Sequence, residues 1–189
     1  MKVIATGRSA TGIPTAKLAL WWVIGSEIVI FGGLLGSYLM HRLGHPEWSA
    51  QSMHTNTTLG ALNTFILLTS SLTAVLAHKA AEEGDGKKAS RFLWYTTFGA
   101  LGFLVVKSFE WSTEIAHGFA ITAHPFWSFY YTAAGLHGLH VIAGAIIMII
   151  IARSAKKNEN LHRVELIGLY WHFVDIVWIF LFPLLYIAK

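Results

Sequence analysis

Five ionisable side chains fall inside the most apolar stretches of this sequence: Glu27, His137, His140, His172 and Asp175. An ionised carboxylate at the centre of a membrane span costs at least ~2.5–3.5 kcal/mol. Each such group therefore finds a hydrogen-bond partner or stays neutral. Three kinds of chemistry are open to the set: proton exchange, metal or haem ligation, and interhelical hydrogen bonding. Two further ionisable residues, Lys107 and Glu110, stand three apart in "KSFEW". They read as an interfacial ion pair on one helix face, of small energetic value.

The ligand readings are the weaker ones. A haem held between two helices needs histidines paired along each of them. Only His124 and His137 have a suitable spacing of about thirteen residues, and His124 stands beside Pro125 before the apolar run begins. A dinuclear site needs Glu-x-x-His repeats, and none occurs within the apolar runs. No cysteine is present, which removes disulfides, cysteine-ligated zinc and iron–sulfur clusters. No metal, cofactor or catalytic residue is therefore assigned to this chain. His172 and Asp175 lie within about 80° of each other on a helix, roughly 12 and 16 Å from its start. Glu27 lies at a similar depth on another helix. An interior polar knot of Glu27, His140, His172 and Asp175 is expected, with Asp175 buried and paired. It would be structural first and proton-linked second.

The elements that must position these groups are membrane helices. Of the residues, 54% are hydrophobic and 13% charged, and mean hydropathy is +0.54. A soluble domain carries roughly twice that charged fraction. Five apolar runs, about 18–40, 57–78, 92–111, 126–152 and 164–187, are each near the ~20 residues that cross hydrocarbon. Only a helix satisfies its own backbone there. The fold class is thus all-α, an integral membrane bundle of five transmembrane helices. Residues 1–17 precede it and residues 18–189 form it. Loops at 79–91 and 153–163 read as exposed turns. Of the fourteen Lys and Arg, eleven lie on the side holding the N-terminus and three on the other. That bias places the N-terminus in the cytoplasm and the C-terminus outside, in the periplasm. Trp21, Trp22, Trp94 and Tyr95 then mark the inner interface. Trp48, Trp111, Trp127, Tyr130 and Tyr186 mark the outer one. The first apolar run is too long, and carries Glu27, to be a cleavable signal. A net charge of +4 gives no reason to expect a nucleic-acid partner.

Small and polar residues supply the packing seams that lipid cannot drive hydrophobically. Asn56, Asn63 and Ser70 recur every seven residues on the second span, with Gly60, Ala74 and Ala77 on the same face. Gly32 and Gly36 form a small-xxx-small pair on the first. Both are read as packing.

These stretches resemble a known family. "GSEIVIFGGLLGSYL" (25–39), "LNTFILLTSSLTAVLAH" (62–78), "FYYTAAGLHGLHVIAGAI" (129–146) and "GLYWHFVDIVWIFLFPLLYI" (168–187) are similar, in order, to helices of subunit III of haem–copper oxidases. The likeness covers about residues 18–187 and matches a short five-span form lacking the first two of seven helices. It implies an accessory subunit in a bacterial plasma membrane, with haem and copper in the partner catalytic subunit I. It also implies phospholipid held among the helices and a supporting role in proton uptake and in the durability of subunit I. By the resemblance, Glu27 takes the place of the family's carbodiimide-reactive carboxylate. His137, His140, His172 and Asp175 occupy signature positions. One departure is that Lys107 stands where the family often has glutamine. Quinol-oxidase and nitric-oxide-reductase-associated forms share the pattern, so the electron donor is open. A freestanding proton or solute transporter is the rival from another class, although no inverted repeat is visible.

Overall fold

The computed structural model describes residues 14–188. Over these it forms six helices and a π-helical last turn, with no strand. They are α1 (Thr15–Gly44), the short α2 (Trp48–Ser52), α3 (Thr57–Glu82), α4 (Gly86–Ala116), α5 (Pro125–Ala155) and α6 (His162–Phe182), which continues as the π-turn Pro183–Ile187. Five are long and apolar enough to span a membrane. The expected segment 1–17 lies largely outside the described residues.

The long helices overrun the apolar runs because their ends are capped in polar sequence. Asp85 Oδ1 accepts from Lys88 N at 2.9 Å and starts α4. Gly84, at φ 77°, takes the left-handed turn just before it. The loop expected over 79–91 therefore shrinks to a three-residue turn. His124 Nδ1 accepts from Phe126 N at 3.1 Å, with Pro125 in the first turn of α5. Asn56 accepts from Leu59 N at 3.1 Å and is exposed. It caps α3 instead of joining a packing seam, because its place one residue before the helix favours capping.

The rest of that seam is buried. Asn63, Ser70 and Ala77 face inward with Gly60 and Ala74. Glycine brings helices close at three crossings: a Cβ on Gly99 would stand 2.6 Å from Ser70 Cβ, one on Gly60 2.8 Å from Phe182, and one on Gly144 3.0 Å from Trp171. Indole donors cross the same seams. Trp171 Nε1 donates to Ser70 Oγ at 3.1 Å and Trp178 Nε1 to Thr64 Oγ1 at 3.0 Å. Thr73 and Thr96 hydroxyls meet at 2.8 Å between α3 and α4. In lipid such bonds are worth ~0.6–2 kcal/mol each.

The bundle is uneven. α3, α4, α5 and α6 share the large interfaces, whereas α1 meets α5 and α6 more lightly. Gly25, Gly32, Gly33 and Gly36 meet nothing within 4 Å, so Gly32 and Gly36 are not packing contacts within this chain. The expected aromatic belts also divide. Trp21, Trp22 and Tyr95 are exposed. Trp48, Trp127, Tyr130 and Tyr186 are buried and build the core at the other end. Their rings fill the volume where α2, α4, α5 and the last turn converge.

Candidate functional site

The polar residues gather in two places, and the expected four-residue knot divides. At the first, α1 meets α5. Glu27 Oε2 stands 3.1 Å from His140 Nε2, with side chains 17% and 16% exposed. This is an ion-pair separation, but the oxygen is not aligned for a hydrogen bond. His140 Nδ1 lies 2.8 Å from the Leu136 carbonyl, so Nδ1 carries the hydrogen and Nε2 faces the carboxyl. Tyr170 Oη donates to the His140 carbonyl at 3.2 Å and ties α6 to the same point. At one end of α1, Lys17 Nζ reaches Glu165 Oε1 at 2.5 Å. At the other, Tyr38 Oη donates to Leu184 O at 3.0 Å.

His172 and Asp175 do not join this pair. His172 Nδ1 stands 2.7 Å from Ser71 Oγ on α3, a neutral partner within "LLTSSLTA" that the pairing expected among ionisable residues did not include. Asp175 is buried, and the Ser71 hydroxyl beside it is a neutral hydrogen-bonding neighbour. That hydroxyl is shared with His172. Asp175 is therefore buried as expected, without an ion-pair partner among the described residues. His137 is fully buried with both ring nitrogens unpartnered. It packs edge-on to Phe103 at 5.3 Å and stacks on Trp178 at 5.2 Å, which makes it a core ring.

The second place is the C-terminal half of α4. Lys107 and Glu110 do pair, at 3.1 Å, but their side chains are 5% and 1% exposed. The weak interfacial pair is thus a buried one. Lys107 Nζ also donates to Tyr130 Oη at 2.9 Å and to Tyr186 Oη. It lies over the Tyr130 ring at 4.5 Å and the Tyr186 ring at 5.0 Å. Tyr130 Oη lies 3.1 Å from Glu110 Oε1 and 3.0 Å from Glu114 Oε1. Residues 107, 110 and 114 share one helix face. That spacing was the available signal for Glu114, which the sequence reading missed. Tyr130 and Tyr186 were missed because tyrosine near a span end reads as an interface anchor. Among the described residues, no three His, Asp or Glu side chains converge as metal ligands.

Comparison with known proteins bears on this architecture directly. The family model for cytochrome c oxidase subunit III matches residues 10–189. The chain is 34% identical over 177 residues to cytochrome c oxidase subunit 3 of Bacillus sp. (strain PS3), covering 90% of this chain and 84% of that one. It is 32% identical over 175 residues to the Alkalihalophilus pseudofirmus protein of the same name, covering 90% and 85%. It is 29% identical over 183 residues to a heme-copper oxidase subunit I+III of Aeropyrum pernix, covering 91% of this chain and 22% of that longer one. With five apolar spans and similarity over nearly its full length, the chain belongs to the cytochrome c oxidase subunit III family, accessory membrane subunits of haem–copper oxidases.

Proposed function

We propose that this chain packs beside the catalytic subunit of a proton-pumping terminal oxidase in a bacterial plasma membrane, N-terminus cytoplasmic and C-terminus periplasmic. There it stabilises that subunit and supports proton uptake. Haem and copper reside in the catalytic subunit. The observation that carries the reading is the open helix α1. Its glycine edge has no neighbour within 4 Å, and Ile28, Val29, Met40 and Leu43 beside it are exposed. A small-residue edge gives another helix the close approach that drives association in lipid. A relative that carries subunits I and III in one chain supports a neighbour of that kind.

Support for proton uptake comes from the Glu27–His140 pair, a titratable couple held on that lightly packed helix. Support for a bound phospholipid comes from a groove of about 360 Å³ between α1, α5 and α6. Leu20, Val23, Ile147 and Leu166 line it, and Arg163 stands at its wall. The groove suits an acyl chain, and the guanidinium suits a phosphate.

The test is co-purification. Gly32→Leu with Gly36→Leu leaves the chain inserted and helical. It separates the chain from the preparation that shows the haem–copper optical spectrum. If the wild-type chain purifies without such a spectrum, the reading fails. If both leucines leave the complex intact, the partner contacts another face. A donor assay with reduced cytochrome c and with quinol on the same complex decides which oxidase class it serves.

A further inference from the structure

The buried cluster at the end of α4 holds more carboxyl groups than ammonium groups. Lys107 contributes one ammonium, and Glu110 and Glu114 contribute two carboxyl groups. Lys107 spends its three N–H groups on Glu110, Tyr130 and Tyr186. The Tyr130 hydroxyl has a single hydrogen to divide between Glu110 and Glu114. Tyr131, the other phenol beside Glu114, points its hydroxyl at Phe119 O at 2.8 Å. Glu114 is 5% exposed, and its Oε2 makes no well-aligned hydrogen bond.

Glu114 borders a pocket. Glu114 and Glu110 line a cavity of about 270 Å³ together with Phe109, Phe119, His54 and His117. His54 stacks on Phe119 at 4.5 Å, which gives the wall a flat aromatic face. His117 Nδ1 lies 2.7 Å from Thr113 O, so its hydrogen is committed there and Nε2 is left as an acceptor. The last turn of α4 holds no basic residue, so the partial negative charge of the helix C-terminus also goes uncompensated. Carboxylate, aromatic wall and helix C-terminus all favour a cation, and Glu114 Oε2 asks for a hydrogen-bond donor. The absence of three convergent metal ligands among the described residues selects against a coordinated metal ion.

We propose that this pocket binds a primary ammonium group, with Glu114 as its anchor and the Phe109 and Phe119 rings as its walls. Lys107 shows the same chemistry a few ångströms inside the bundle, an ammonium held by one carboxylate and several aromatic faces. The guest supplies the second ammonium. Its source is a free small amine or the ethanolamine headgroup of a neighbouring lipid. The site is built by this chain alone and does not depend on the oxidase assignment.

The experiment is binding of ethylammonium chloride to the full chain, in the complex from which it is purified. The complex is held in phosphatidylglycerol nanodiscs and read by saturation-transfer NMR. Saturable binding is expected, weakened about tenfold or more in Glu114→Gln, which removes a charge-assisted bond. Tetramethylammonium, which has no N–H, is expected to bind at least about tenfold more weakly than ethylammonium. Phe109→Leu, at an exposed position, thins the aromatic wall without touching the cluster and weakens binding too. Adding phosphatidylethanolamine to the nanodiscs competes if the native guest is a lipid headgroup. It leaves the affinity unchanged if the guest is a free amine. No binding by wild type, equal binding by Glu114→Gln, or displacement by zinc but not by amines overturns the proposal. So does an infrared carboxylic-acid band that is lost in Glu114→Gln and indifferent to ethylammonium, since that band shows a neutral, protonated Glu114.

Discussion

Glu27 on α1 and His140 on α5 face each other at 3.1 Å, and theirs is the polar contact that fixes the middle of α1 to the bundle. With His140 Nδ1 committed to the Leu136 carbonyl, Nε2 is the ring nitrogen turned to the Glu27 carboxyl, and the pair ties α1 to α5.

Removing the imidazole should loosen α1. His140→Leu leaves the Glu27 carboxyl without a partner in a partly exposed site. The coupling between Glu27→Gln and His140→Leu in a double-variant cycle is expected at about 0.6–1.7 kcal/mol, the range of polar pairs between membrane helices. Reversible unfolding in mixed detergent micelles measures it. Glu27→Gln alone, nearly the same shape, is expected to leave assembly intact. A coupling of zero removes the lock, and a loss of proton uptake in an assembled Glu27→Gln complex shows the couple working in transport.

Lys107 gives a sharper case. Lys107→Met removes the one cation from between two buried carboxyl groups and two phenols. Breaking a buried pair from one side costs about 3–5 kcal/mol. Lys107→Gln keeps a donor for Glu110 without the charge, and is expected to lose less than half of that. Detergent unfolding of both variants ranks them. Equal stabilities would mean that the ammonium contributes nothing beyond its volume.

The contrast between these two sites shows what the chain made readable. Helix number and type followed from five apolar runs, because hydrocarbon allows a span little choice of structure. The individual buried charges were visible because each one stands out against an apolar run. Partner choice was not. It depends on helix rotation and crossing, which is why His172 found Ser71 and not Glu27. Charges near span ends were misjudged for the same reason. Lys107 and Tyr186 sit where an interface residue would sit, and only the convergence of α4, α5 and the π-turn encloses them. Gly32 and Gly36 are glycines inside an apolar helix, as Gly60 and Gly99 are. Whether such an edge is filled depends on a neighbour that local sequence does not specify.

Gly99 and Gly102 lie one turn apart on α4 and separate packing from permissiveness. A Cβ on Gly99 would come 2.6 Å from Ser70 Cβ, so α3 and α4 must part. One on Gly102 meets only the end of Ile66 at 3.8 Å. Gly99→Ala is expected to cost about 1–3 kcal/mol, as overpacking does, and Gly102→Ala nothing measurable. Thermal retention of the subunit in the complex reads both. A tolerated Gly99→Ala would place the α3–α4 crossing farther apart than it stands here.

Asp175 reverses the expectation that its sequence position invited. A buried and paired aspartate would make Asp175→Asn damaging. Here the carboxyl is buried, and the polar group beside it is the neutral Ser71 hydroxyl, shared with His172. Asparagine has the same shape, carries no charge to desolvate and adds N–H donors that can reach Ser71 Oγ. Asp175→Asn is therefore expected to change stability by less than about 1 kcal/mol, in either direction, since the amide keeps the shape and the bond to a neutral hydroxyl while removing a buried charge. Asp175→Leu keeps the volume roughly and tests the same point without any polar atom. Subunit retention on detergent titration is the measurement. If Asp175→Asn sheds the subunit while the isolated chain stays folded, the carboxyl is ionised and its partner is a cation on the neighbouring subunit. Asp175 then belongs to an interface, and the unpaired geometry is that of the chain alone.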